Sequence, residues 1–278
     1  MQRISGKQKI TAVVVVLMAV VLAVVRFLVV PQMQNAVTGR YELNVWVIGL
    51  ILVGLVVLTV LGYSKQPLTP TAKMNGKGTP LAAVTGALFG AVLLITMVID
   101  LVRWQGYGIT PAPNATQLNA LDGVTLFGTI LFGVLGGGFL LWVTLRSSDK
   151  WGDTLRQHPF WLITPALWQC MRLARYELSY ASALDVMRSS YDFIMLIFSL
   201  LFLFSLARYV SGVGKPSRLL VVYAAATAML SLSGTAARAG YFLAGETVAF
   251  ESSRLAGPVD AALGLFALAV TVALTCAD

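Results

Sequence analysis

The chain has 278 residues, 58% of them hydrophobic and only 12% charged, with a formal net charge of +8 and a mean hydropathy of +0.80. Soluble domains carry roughly 25% charged residues, so this composition excludes an ordinary soluble enzyme and points to a single domain, 1–278, whose solvent is the bilayer. Nor is the positive charge a nucleic-acid footprint, because every lysine falls in a short segment between apolar runs or at the N-terminus, as topogenic charge does.

The N-terminal MQRISGKQKI is basic and leads directly into TAVVVVLMAVVLAVV. The apolar run 10–30 is of bilayer length and no small-x-small cleavage site follows, so it reads as an uncleaved first span rather than a signal peptide. Further runs lie near 43–63, 80–102, 121–145, 160–182, 190–208, 217–242 and 258–276. A helix rising about 1.5 Å per residue needs about 20 residues to cross the hydrocarbon layer. The expected fold is therefore all-α, a polytopic transmembrane helix bundle of about eight spans with both termini cytoplasmic.

Charge fixes the orientation. With the N-terminus inside, the inner segments 1–9, 64–79, 146–159, 208–218 and the C-terminus hold Lys7, Lys9, Lys65, Lys73, Lys77, Lys150 and Lys215, while the outer side and the membrane hold arginine and most of the acid but no lysine. That is the positive-inside pattern. Tyr63, Trp151, Trp161 and Tyr209 then fall near the inner face, and Tyr41, Trp46, Trp104, Tyr107 and Tyr241 near the outer, where aromatic belts sit.

Segment 160–182 departs from the pattern. Its apolar part, FWLITPALWQCM, is about half the needed length before Arg172, Arg175 and Glu177 arrive. An interfacial or re-entrant segment is the alternative to a span. A span is preferred because otherwise the Lys215 loop would move outside.

Two GxxxG motifs, Gly86 to Gly90 and Gly133 to Gly137, and the small-residue stretch AAATAMLSLSGTAARAG of the seventh run are expected to pack helices within the chain rather than to form a dimer. More telling, arginine recurs in or beside the outward half of the odd-numbered runs: Arg26, Arg103, Arg172, Arg175 and Arg238. At such depth each must snorkel, pair or line a hydrated cavity. Asp100 lies one turn before Arg103, and Asp185, Arg188 and Asp192 share one face at the start of the sixth run, giving local charge-pair candidates. Interhelical salt bridges are the plainer reading. The sharper one is an outward-open, ligand-binding pocket lined by Arg172, Arg175, Tyr176, Tyr180, Ser231, Ser233, Arg238 and Tyr241, whose guanidinium forks suit a carboxylate or phosphate.

Enzyme signatures are sparse. Cys170 and Cys276 have no CxxC spacing and His158 is the sole histidine, in a charged loop, so neither a metal site nor a cofactor is indicated and no catalytic residue is assigned. Tyr191-Asp192 is half of an intramembrane aspartyl protease pattern, but no GxGD follows. The sequon Asn114-Ala-Thr116 is given no role.

The stretch ALWQCMRLARYELSYASALDVMRSSYDFIMLIFSLLFLFSLARYVSGV resembles a group of uncharacterised integral membrane proteins of Gram-positive, clostridial-type gut bacteria, over about residues 160–242. The resemblance implies a multi-pass protein of the bacterial plasma membrane and carries no activity with it. Two functions are expected from the residues. One is a transporter or ligand-binding membrane subunit for a small anionic or amphipathic solute. The other is a non-catalytic partner or sensor subunit that docks another protein, or anionic lipid at the inner face through basic loops. In either case the bilayer is the first partner.

Overall fold

The structure, a computed structural model, describes residues 6–33, 50–51, 53–54, 79–109, 120–146, 151–179, 183–212, 219–243 and 257–275. These form α1 (Gly6–Met33), α2 (Thr79–Ile109), α3 (Ala120–Arg146), a short α4 (Trp151–Gln157), a 3₁₀ turn (Pro159–Leu162), α5 (Ile163–Ser179), α6 (Ala183–Val210), α7 (Leu219–Leu243) and α8 (Pro258–Thr275). No strand occurs among the described residues. Seven of the eight expected spans thus have a helix, and the eighth, 43–63, lies almost wholly outside the described residues.

Pro80–Val102, Gly123–Arg146, Tyr191–Val210 and Leu219–Gly240 are long and apolar enough to cross a membrane, with Val13–Val25 and Pro258–Leu274 as shorter apolar helices. Their outer surfaces are bare hydrocarbon. Leu81, Val84, Leu88, Ile95 and Val98 of α2 and Val124, Phe127 and Leu131 of α3 are all exposed, which is ruinous in water and natural in lipid. The chain is a membrane protein.

The helices close into a ring. α2 packs on α3, α3 on α5, α5 on α6, α6 on α7, α7 on α8, and α8 returns to α2, with α1 outside against α7. Within the ring, successive pairings show antiparallel neighbours: Gly90 meets Gly137 and Met97 meets Gly133, Gln169 meets Leu196 and Tyr176 meets Phe193, and Tyr191 meets Leu230 and Phe198 meets Tyr223. On α1 the burial repeats at Val15, Ala19 and Leu22 while Val13, Val16, Leu17, Val20, Val21 and Val24 are exposed, a single helical stripe that faces α7.

α5 runs along its neighbours like the other members of the ring. Against α3, Gly136 meets Pro165 and Gly128 meets Met171; against α6, the rings of Tyr176 and Phe193 lie 5.9 Å apart. Contacts that advance steadily along both neighbours belong to a straight helix, not to a hairpin that turns back.

Both GxxxG motifs are consumed inside the chain. A Cβ at Gly90 would stand 2.8 Å from the Gly137 carbonyl oxygen, and one at Gly137 would stand 2.8 Å from that of Gly90, so the α2 and α3 backbones touch where no side chain intervenes. Gly86 takes the ring of Phe266, and Gly133 takes Met97 and Trp168.

Aromatic rings fill the axis of the ring of helices. Phe266 of α8 lies 6.0 Å from Phe89, 5.8 Å from Phe202 and 6.3 Å from Trp151, while Phe89 also lies 5.9 Å from Trp168. Trp151 is therefore not a belt residue, as its position near the inner face suggests, but is fully buried: α4 folds under the bundle against α2, α3 and α6 and turns the indole inward. Trp161, by contrast, is exposed where a belt residue belongs.

Candidate functional site

In lipid a hydroxyl is satisfied most simply by its own helix, and this bundle does so repeatedly. Thr129 donates to the Thr125 carbonyl at 2.7 Å, Ser199 to Met195 at 2.7 Å and Thr271 to Ala267 at 2.8 Å, the back-bond one turn down that polar side chains make in helices. Charged groups have no such local solution, and they define the site.

Arg172 lies on α5, one turn beyond Trp168. Its guanidinium forks onto Asp260 of α8, Nη1 donating to Oδ1 at 2.9 Å and Nη2 to Oδ2 at 3.2 Å. Two parallel charge-assisted bonds are the strongest geometry this pair of side chains has. The Trp168 ring lies 4.8 Å from the guanidinium carbon, adding a cation–π contact. Nη1 also reaches Gln169 Oε1 at 3.4 Å, and Gln169 Nε2 in turn donates to the Leu196 carbonyl of α6 at 3.4 Å.

Asp260 is held from its own helix as well. α8 opens on Gly257-Pro258, with proline at the first helical position, where its missing N–H is no loss. The Gly257 N–H donates to Asp260 Oδ2 at 2.9 Å, the reciprocal half of a capping box, and the carboxylate sits in the first turn where the helix dipole favours negative charge.

A second pair joins α6 and α7: Arg238 Nη2 donates to Asp192 Oδ2 at 2.9 Å. Beside it the Tyr191 hydroxyl donates to the Leu230 carbonyl at 2.8 Å and touches Ser233 Oγ, while Ser233 donates to the Met229 carbonyl at 2.7 Å. The four charged side chains are sequestered: Arg172 and Arg238 are 8% exposed, Asp192 5% and Asp260 0%.

Polar contacts thus run from α8 through α5 to α6 and on to α7, at the end of the bundle opposite α4. Of the residues expected to line one pocket, Arg172 and Tyr176 are buried on α5, Arg175 is half-buried on the same helix, and Ser231, Ser233 and Arg238 are buried on α7. The structure divides them between two interfaces: Arg172 faces α8, while Ser233 and Arg238 face α6. Ser231 turns to α8, its Cβ close to Gly264. Tyr180 and the side chain of Tyr241 lie outside the described residues.

Among the charge-pair candidates, Asp192 pairs with Arg238 across an interface, and Asp100 is half-buried on α2. The side chains of Arg103, Asp185 and Arg188, like that of Arg26, lie outside the described residues. Asp260 and Gln169 were not foreseen. The signal for Asp260 was present, an acid two residues after a proline at the head of an apolar run, but it reads as a helix cap and nothing in it names Arg172.

Trp151 Nε1, Trp168 Nε1, Thr227 Oγ1 and Ser231 Oγ are buried and have no hydrogen-bond partner among the described residues. No cluster of three or more His, Cys, Asp or Glu that would hold a metal ion occurs among the described residues.

Fold and site together define a class: a helical membrane bundle whose ring of helices is bridged by buried arginine and aspartate pairs. Compared with known proteins, the chain matches no family model, no curated protein and no solved structure.

Proposed function

We propose that the chain is a transporter or ligand-binding membrane subunit for a small anionic or amphipathic solute, and that Arg172 is the centre of its binding site. The observation that carries this reading is the Arg172/Asp260 pair, bidentate and sequestered inside an apolar bundle. Stability alone is a poor reason for such a pair, since well-packed apolar residues in place of a buried ion pair are often neutral or stabilising by about 1–4 kcal/mol. Ionisable groups in the hydrocarbon layer pair with one another and also mark substrate and ion pathways. A guanidinium fork already holding a carboxylate has the geometry to hold another.

The lysine distribution and short connections support a bacterial plasma membrane with both termini in the cytoplasm. That orientation puts the ion pairs in the outer half of the bundle and the aromatic core between them and the cytoplasm.

Uptake into proteoliposomes tests the reading, with radiolabelled benzoate as an amphipathic carboxylate and sulfate as a bare oxyanion. The double change Arg172→Leu with Asp260→Leu removes both charges and strands neither, so it should fold and insert and should lose uptake. Uptake that survives the double change, or no uptake of either anion by the unmodified protein, overturns the reading.

A further inference from the structure

The Arg172 fork is occupied. Both its terminal nitrogens bond Asp260, and Asp260 is wholly enclosed, so an incoming anion meets a cation that is already neutralised. If the anion displaced an ionised Asp260, the site would hold two negative charges against one positive charge in a low-dielectric interior, an arrangement strongly disfavoured by desolvation and repulsion. If Asp260 left as the neutral acid, the site would hold one cation and one anion before and after exchange.

We propose that binding at Arg172 is an exchange of partners coupled to protonation: one proton enters from water onto Asp260 for each anion that takes its place on the guanidinium. This deepens the proposed function and rests on it. No covalent bond to carbon, sulfur or phosphorus changes; the proton forms an O–H bond on the Asp260 carboxyl, and for a monoanion the exchange leaves the charge of the site unchanged.

The surroundings of Asp260 fit this step. Its charged neighbour is Arg172 of α5. Of the elements packed against α8, α7 contributes Arg238, engaged by Asp192, and Tyr223 towards the opposite end; α2 contributes Asp100, half-buried at the same end; the titratable side chains of α1, and Arg103 and Tyr107 of α2, lie outside the described residues. Hydrogen-bonding capacity is in reserve nearby. Ser231, packed against Gly264 one turn below Asp260, and Trp168, one turn below Arg172, each hold a buried polar group with no partner among the described residues. Ser231 can accept a hydrogen bond from a neutral carboxyl or donate one to an anion, and the indole N–H can only donate.

Calorimetric titration of the full chain in lipid nanodiscs with benzoate and with nitrate, both monoanions, repeated in buffers of different ionisation enthalpy, counts the protons taken up. The expected result is about one proton per anion and about a tenfold gain in affinity for each unit fall in pH. Asp260→Asn, which mimics the neutral acid, should bind with no proton uptake and no pH dependence. Binding by the unmodified protein without proton uptake overturns the coupling and leaves the anion site standing. Failure of both anions to bind either protein overturns the coupling and the anion site together. Should Asp260→Asn not insert, the proton count on the unmodified protein decides alone.

Discussion

A guanidinium inside an apolar bundle is stable only while something answers its charge, and for Arg172 that is Asp260, 88 positions away in sequence. Removing one member is therefore much worse than removing both. Asp260→Leu is expected to destabilise the bundle by roughly 3–5 kcal/mol, because it leaves a buried cation without its counter-ion, whereas the Arg172→Leu, Asp260→Leu double variant should recover most of that loss. Reversible unfolding in mixed micelles, followed by helical circular dichroism, compares Arg172→Leu, Asp260→Leu and the double variant; simple additivity of the single changes would contradict the pairing. At this scale the sequence was half legible. It shows that arginine lies too deep to be free, since depth follows from counting along an apolar run, and it shows Asp192 as an available acid. It does not show who pairs with whom. Local spacing offers Arg188, whose side chain lies outside the described residues, as a companion of Asp192, while the structure pairs Asp192 with Arg238 on the neighbouring helix, and partners on different helices leave no period to read.

Helices declare themselves through length and hydropathy, and their contacts through glycine. The Gly137 and Gly138 neighbours make a controlled comparison, because a Cβ at Gly137 would stand 2.8 Å from a backbone oxygen and one at Gly138 meets nothing within 4 Å. Gly137→Ala should lower stability by roughly 1–3 kcal/mol through overpacking, while Gly138→Ala should be neutral or stabilise by up to about 1 kcal/mol through helix propensity. The same unfolding assay checks this; equal effects at the two positions would remove the close crossing from the account. Two elements were less legible. α5 is too polar at one end to look like a span, because Arg172 has its partner inside the bundle and hydropathy cannot register that. The short α4 sits in a stretch, 146–159, that charge alone marks as an inner loop. Its clue is weak: Trp151 and Leu155 lie one turn apart and both are buried, which is too brief a period to stand out.

At the scale of the whole molecule, the lysine pattern predicts which ends share a compartment. A fluorescent protein fused after Asp278 or within 146–150 should fold and glow in the cytoplasm, and alkaline phosphatase fused within 110–119 should be active outside. Fusions with the opposite result would invert the bundle and place the ion pairs nearer the cytoplasm. Membrane character and the alternating order of helices were legible because lipid imposes both on every span. The closed ring was not, since the return of α8 to α2 depends on the mutual fit of Phe266, Phe89 and Gly86, residues that no periodicity links.

The contact of Gly90 with Gly137 also bears on motion. Interlocked side chains behave like meshed teeth and hold two helices at one angle, but here the closest point of α2 and α3 is backbone against backbone with no side chain between. Such a contact works as a hinge pin. The two helices are kept from parting at that level and are tied again towards α4, where Thr144 donates to the Ala83 carbonyl at 3.3 Å, which leaves the far ends to scissor about it. Any rearrangement that opens the ring should then appear as a change of crossing angle between α2 and α3, largest at the tips far from α4 and vanishing at the glycines.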